Sequence, residues 1–235
     1  MPVGADAARW LEGLDPRDPP RLRWVLRAHP GARRIGVLSA AFNPPTRAHL
    51  ALAEAARAAL ELEEVVLLLA LTHVEKPLIG FGLSERLEML QAIACGRAGY
   101  SVALCNRPRF FEKAIAFREA LGEVDALFFL MGGDTLVRLF DPRYYPDLPL
   151  EAALECFFTL AEAAVAPRPP WDRQAMEAFL EDPARARYRP RIHWLALPEA
   201  LAGISSSEVR ARRQRGEPVD DAVPPEIRPW LGGLL

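Results

Sequence analysis

From Gly31 onward the chain alternates short apolar runs with stretches of helical period, and this alternation restricts the fold more than any other feature. Ile35-Gly36-Val37-Leu38 is an apolar run bounded by turn formers, and Arg47 to Leu60 follows with Leu50, Ala53 and Leu60 at helical spacing. The pattern then repeats. Val65 to Leu71, Val102 to Cys105 and Ala126 to Met131 predict strands, with helices over Leu83 to Cys95 and Lys113 to Leu121. Further on, Phe158 to Ala166 and Ile192 to Leu197 predict strands around a helix over Trp171 to Leu180, and Ser205 to Gln214 predicts a late helix. Strands joined by crossover helices must lie parallel. The expected class is therefore α/β: a Rossmann-like open parallel sheet with helices on both faces.

Residues 5 to 30 carry two weakly amphipathic stretches separated by the turn-rich Asp15-Pro16-Arg17-Asp18-Pro19-Pro20. They predict a helical N-terminal extension over residues 1–32, ahead of one main domain over 33–235. Proline-rich patches near Pro146, Pro167 to Pro170 and Pro224-Pro225 read as loops, with room for a small insertion over 141–157.

With 235 residues, 51% of them hydrophobic, the chain can bury a substantial core. A net charge of -2 excludes a general nucleic-acid binder, although a local basic pocket is compatible with it. Cys95, Cys105 and Cys156 have neither disulfide-framework nor zinc-ligand spacing, and no run approaches a membrane span. The start lacks a basic region followed by an apolar one, so the expected location is cytoplasmic. Of 29 basic residues only Lys76 and Lys113 are lysine, which makes each worth a look.

In an open parallel sheet, ligands bind beyond the carboxyl ends of the strands, near the point where strand order reverses. The first such loop, Ser39 to Thr46, has neither a dinucleotide fingerprint nor a Walker ending. It does lead into Thr46-Arg47-Ala48-His49, with a threonine at the N-cap and a histidine three residues on. Helix starts attract phosphate, and an imidazole there can donate to an oxygen that gains charge in a transfer. The alternative is that Thr46 only caps and His49 only packs. A second cluster, Ile204-Ser205-Ser206-Ser207-Glu208-Val209-Arg210, offers three hydroxyls and an arginine at another helix start, or an ordinary capping box. A third, Gly132-Gly133-Asp134, ends a strand, where an acidic residue can face ribose hydroxyls or a metal-bound water, or merely cap a helix.

Taken together these residues resemble the nucleotidyltransferase superfamily with the H-x-G-H signature, and within it the nicotinamide or nicotinate mononucleotide adenylyltransferases. G-x-F-x-P-x-[HT]-x-x-H is matched over Ser39 to His49, and the terminal I-S-S-[TS]-x-[IV]-R over Ile204 to Arg210. Between them Lys76, the Arg86-Leu87-Glu88-Met89-Leu90 segment, the Gly132-Gly133-Asp134 turn and Arg168 are similar to further family positions. Thr46 stands where bacterial relatives mostly have histidine, and Ala40-Ala41 replaces a small Gly-Ser or Gly-Thr pair. The stacking tryptophan expected after the G-x-D turn is absent, which leaves Tyr144 or Tyr145 to stack on an acceptor ring.

The resemblance implies transfer of AMP from ATP to a phosphate-bearing acceptor, with release of pyrophosphate. It implies catalytic roles for Thr46, His49 and Arg210. It places Ala41, Phe42, Lys76, Gly132, Asp134, Ile204, Ser205, Ser206 and Ser207 on ATP and its phosphates, and Arg168, Tyr144 and Tyr145 on the acceptor. Magnesium is the expected ion, met by Asp134 through water rather than by a ligand cluster. The expected partners are small molecules, with no nucleic acid or membrane, and a homo-oligomer is compatible with the sequence. Other acceptors, such as phosphopantetheine or a substrate of cytidylyl transfer, remain open, as does a non-catalytic ATP-binding regulator. His73 and His193 lack a partner pattern and read as structural.

Overall fold

A computed structural model of the chain describes residues 10–71 and 80–232. Seven strands form one sheet: β1 (Leu22–Leu26), β2 (Arg34–Ser39), β3 (Glu64–Ala70), β4 (Tyr100–Cys105), β5 (Ala126–Gly132), β6 (Glu162–Ala166) and β7 (Ile192–Trp194). Their order is β1-β4-β3-β2-β5-β6-β7. From β2 to β7 every pairing is parallel. The helices are α1 (Arg47–Leu60), α2 (Leu83–Cys95), α3 (Phe110–Leu121), α4 (Gly133–Leu139), α5 (Leu150–Leu160), α6 (Arg173–Phe179) and α7 (Ser206–Gln214), with several single turns besides. The chain builds outward from β2 through β3 to β4, returns to β5 on the other side of β2, and continues to β7. The direction reverses between β2 and β5, so the switch point lies at their carboxyl ends.

β3 shows why the sequence takes this form: all seven of its residues are buried. Val65, Leu67 and Leu69 face one core with Leu50 and Ala53 of α1 and Met89, Leu90 and Ile93 of α2. Val66 and Leu68 face the other, with Phe117 of α3, Leu136 of α4 and Phe157 of α5. A strand covered on both faces needs an unbroken apolar run, as found.

Three expectations are corrected. The N-terminal extension is not helical throughout: Leu22–Leu26 is an edge strand, antiparallel to β4 and part of the main sheet. Its aromatic and β-branched Trp24-Val25 suit a pleat. Buried Asn106 pins the approach to it, accepting from Arg21 N–H (2.7 Å) and donating to Asp15 O (2.8 Å) and Pro19 O (3.0 Å). The predicted strand over Phe158 to Ala166 is half helix, because Ala153, Leu154, Phe157 and Phe158 form one face of α5 and β6 begins only at Glu162. The same helix takes up the second half of the span read as an insertion, after the single turn Pro142–Tyr144 and a short loop. Finally, α3 starts at Phe110 rather than Lys113, which puts Lys113 inside its first turn.

Candidate active site

At the switch point a cleft of about 1020 Å³ opens between the loops after β2, β4, β5 and β6 and the start of α7. Arg109, Lys113, Arg138, Arg168 and Arg210 line it, and Asp134 is the one carboxylate among its described lining residues. A chain of net charge -2 thus gathers five cations around one cavity, the electrostatic shape of a site for anions.

His49 lies on the floor of this cleft, at the start of α1. Thr46, fully buried, caps the helix: its Oγ1 accepts from His49 N–H (3.4 Å), and its own N–H donates to His49 Nδ1 (3.0 Å). A backbone N–H can only donate, so Nδ1 carries the lone pair and the ring proton sits on Nε2. The Nδ1 edge is turned to the cap, which leaves the Nε2–H edge for the cleft. Burial, and next the charge of Arg168, push the imidazole pKa down to about 4. The ring is therefore a neutral donor of fixed tautomer across the physiological range.

The loop before α1 is held from both sides. Phe42 has φ 46°, an uncommon conformation for a bulky residue that costs about 1–3 kcal/mol. Arg86 of α2 donates to the preceding Ala41 O (2.9 Å), and Arg210 of α7 donates to the following Asn43 O (2.5 Å). Asn43 Oδ1 accepts from Phe81 N–H (2.9 Å). The Phe42 ring, buried beneath the loop, packs 5.0 Å from the His49 ring.

The serine cluster resolves into three tasks. Ser205 caps α7, accepting from Glu208 N–H (3.1 Å); Ser206 Oγ donates to Pro44 O (2.8 Å); Ser207 Oγ accepts from Arg210 (3.2 Å). The capping reading of Ser205 is right as far as it goes. Ser206 and Arg210 in addition fasten α7 to the phosphate-side loop, Arg210 through one bond to Asn43 O while a second stays within α7 on Ser207. Ile204 and all three serines line the cleft.

Across the floor, Asp134 accepts from Arg168 (3.2 Å). The adjacent glycines differ in purpose. A Cβ on Gly132 would meet Asp134 Oδ1 at 2.8 Å, whereas one on Gly133 would meet Trp171 Cβ at 2.8 Å and Trp171 O at 2.9 Å. Gly133 is required by packing, and Trp171 packs there instead of lining the cleft. The tyrosines part as well. Tyr145 is buried, with its hydroxyl donating to Leu139 O (3.0 Å) and its pKa raised by burial, so it forms wall rather than a free stacking face. Tyr144 is half-buried at the cleft. His193 packs on Phe128 and pairs with Glu162, in keeping with a structural role. Lys76 and His73 lie outside the described residues.

Sequence reading missed Lys113, Arg109 and Arg138 as cleft residues. The rarity of lysine was the available signal for Lys113. Placing the helix start at that residue hid the fact that it looks into the cleft from the first turn.

A parallel sheet whose switch point presents a neutral imidazole donor, a loop clamped by two arginines and a cationic cleft defines a nucleotidyltransferase of the α/β class. More particularly, the chain belongs to the cytidylyltransferase-like family, whose model matches residues 38–212. It is 31% identical over 215 residues to a Chromobacterium violaceum protein assigned as a nicotinate-nucleotide adenylyltransferase, covering 84% of this chain and 95% of that one. A Geobacter relative of the same assignment is 27% identical over 214 residues, with the same coverage. A Schizosaccharomyces pombe protein assigned as a nicotinamide mononucleotide adenylyltransferase is 31% identical over 130 residues, a match spanning 51% of its length. The fold is shared with Plasmodium falciparum nicotinic acid mononucleotide adenylyltransferase, solved with NaAD: TM-score 0.62, 15% identity, 85% of this chain and 94% of that one.

Proposed function

We propose that this chain transfers AMP from ATP to the phosphate of nicotinate or nicotinamide mononucleotide, releasing pyrophosphate and forming the dinucleotide of NAD biosynthesis. The observation that carries this reading is His49, a neutral Nε2–H donor at a helix start inside a cationic cleft. The names of the relatives supply the acceptor class.

In the reaction an oxygen of the acceptor phosphate bonds to the α-phosphorus of ATP, and the bond from that phosphorus to the bridging oxygen of the β-phosphate breaks. A phosphate monoester has its second pKa near 6, so the attacking group is already ionised at neutral pH and no base is needed. His49, with its low pKa, suits the donor's part: its N–H meets charge that grows on the α-phosphate oxygens. Thr46 fixes the ring in that tautomer. The Ala41-Phe42 backbone lies along the nucleotide. Arg210, Ile204 and Ser205 to Ser207 face the pyrophosphate end, and Lys76, outside the described residues, is assigned to phosphates of ATP or the acceptor. Arg168 and Asp134 stand between the two substrates, and Tyr144 offers a face for the acceptor ring.

Magnesium fits the donor set, since it commonly takes one carboxylate, several waters and substrate phosphates, and Asp134 is a part-exposed carboxylate on the cleft floor. When bound, the ion neutralises triphosphate charge. A cytosolic setting agrees with these substrates, and among the described residues no helix is long and apolar enough to cross a membrane.

The test is pyrophosphate release with ATP and magnesium against both pyridine mononucleotides, phosphopantetheine, and CTP in place of ATP. Release with a pyridine mononucleotide and ATP is expected. Release only with another acceptor would overturn the acceptor assignment, and ATP binding without release in any arm would overturn catalysis.

A further inference from the structure

Lys113 sits where structure alone gives it no reason to be. It is 5% exposed, in the first turn of α3, and it lines the cleft. Burial disfavours an ammonium, and the positive end of a helix dipole disfavours it further. Among the described residues no carboxylate pairs with it and none accepts its hydrogen bond: the neighbouring Glu112 directs its carboxylate to Arg109 (3.0 Å) and Arg107 (3.6 Å). Its close contact is the face of Phe110, 4.9 Å from Nζ. Desolvation pushes its pKa down to about 8, while Cys105 of β4 and Glu112 hold it up. Arg109, Arg138, Tyr144 and Tyr145 line the same cleft. A buried cation that faces a cleft with no carboxylate bonded to it among the described residues marks a functional position.

Its place in the sheet says what it meets. The reacting phosphate must lie against the start of α1, after β2. β4, which leads into α3, is two strands away, about 10 Å across the sheet. A group that reaches Lys113 is therefore the far end of the acceptor and not its phosphate. Phe110, over whose ring the ammonium sits, and Tyr144 are aromatic residues of the same cleft.

We propose that Lys113 is a specificity residue that binds an anionic substituent on the acceptor's ring, so that the site prefers a ring carboxylate to the corresponding carboxamide. This rests on the adenylyl-transfer reading above. An ammonium bonded to a carboxylate in a buried site is a charge-assisted contact that a neutral amide cannot match.

The experiment compares wild type with Lys113→Met and Lys113→Gln, using kcat/KM for nicotinate and nicotinamide mononucleotide at saturating ATP. The acid-to-amide ratio should fall about 10- to 100-fold in both variants, mainly through KM for the acid. In wild type the ratio should also fall as pH rises from 7 to 9, following the lysine of the free enzyme, and stay flat in Lys113→Met. An equal loss with both acceptors would place Lys113 on the shared phosphate or in folding and overturn the proposal, as would a wild-type ratio constant between pH 7 and 9. Calorimetric binding of the two mononucleotides reads the same preference without chemistry. Acid-selective binding lost in Lys113→Met, with no turnover, would sink adenylyl transfer yet uphold Lys113; turnover with unaltered selectivity would do the reverse.

Discussion

Replacing His49 by asparagine separates the two functions of the residue. Asparagine can place its carbonyl oxygen where Nδ1 accepts from Thr46 N–H, so the cap survives, but nothing takes the place of Nε2–H. Losing one well-aimed donor to developing charge should lower kcat about 10²–10³-fold. Alanine removes both functions. It leaves the N–H of fully buried Thr46 without its partner, at about 2 kcal/mol, equivalent to about 4–8 °C in Tm for a chain of this size. Steady-state pyrophosphate release and calorimetric melting of wild type, His49→Asn and His49→Ala give the comparison. Low activity with near wild-type Tm is expected for asparagine, and low activity with lowered Tm for alanine. An asparagine variant retaining more than a tenth of wild-type kcat would refute the donor role, and equal Tm loss in both variants would refute the capping argument.

Three further outcomes follow from the same geometry. Because the folded pKa of His49 is depressed from 6.5 to about 4, the unfolded chain takes up the proton first. The contribution is fully present above pH 6.5 and falls as pH drops toward 4, by about 3 kcal/mol at most, and urea unfolding at pH 7, 5.5 and 4.5 should show it in wild type and not in His49→Asn. Gly133→Ala forces a methyl into Trp171 and should destabilise by about 1–3 kcal/mol, whereas Gly132→Ala should act mainly on turnover through Asp134 and Arg168; equal stability in both would contradict the packing account. Tyr145→Phe loses a buried hydrogen bond and should cost about 1 kcal/mol with KM for the mononucleotide unchanged, while Tyr144→Ala should raise that KM several-fold. A raised KM in the first and not the second would reverse the assignment of the two tyrosines.

Much of the fold was legible because β2 to β5 are buried on both faces, and such strands must be written as unbroken apolar runs between helical segments. β1 was not legible: an edge strand is half-covered, and its partner β4 lies far along the chain, with Leu22 opposite Cys105 at one end and Leu26 opposite Val102 at the other. The boundary between α5 and β6 was hidden because the aromatic and β-branched Phe157-Phe158-Thr159 inside the helix suits a strand as well, so the strand reading ran on from it into β6. In the site, Thr46, His49, Asp134 and Arg210 announced themselves through local spacing at strand ends and helix starts. What spacing does not carry is the partner of each group. That Arg86 and Arg210 clamp the carbonyls on either side of Phe42, that Tyr145 is tied to Leu139, and that Lys113 lacks a carboxylate among the described residues are facts of tertiary packing.

The central claim, that AMP passes from ATP to the phosphate of a pyridine mononucleotide, is tested most directly by following label from ATP. With ATP labelled at the α-phosphate, the account predicts label in a dinucleotide product that co-elutes with the adenine dinucleotide of the acceptor supplied. With ATP labelled at the γ-phosphate, it predicts label only in pyrophosphate, in equal amount. Label from the γ-phosphate in inorganic phosphate, with none from the α-phosphate in a dinucleotide, would contradict it and identify the cleft as that of a nucleotide hydrolase or regulator.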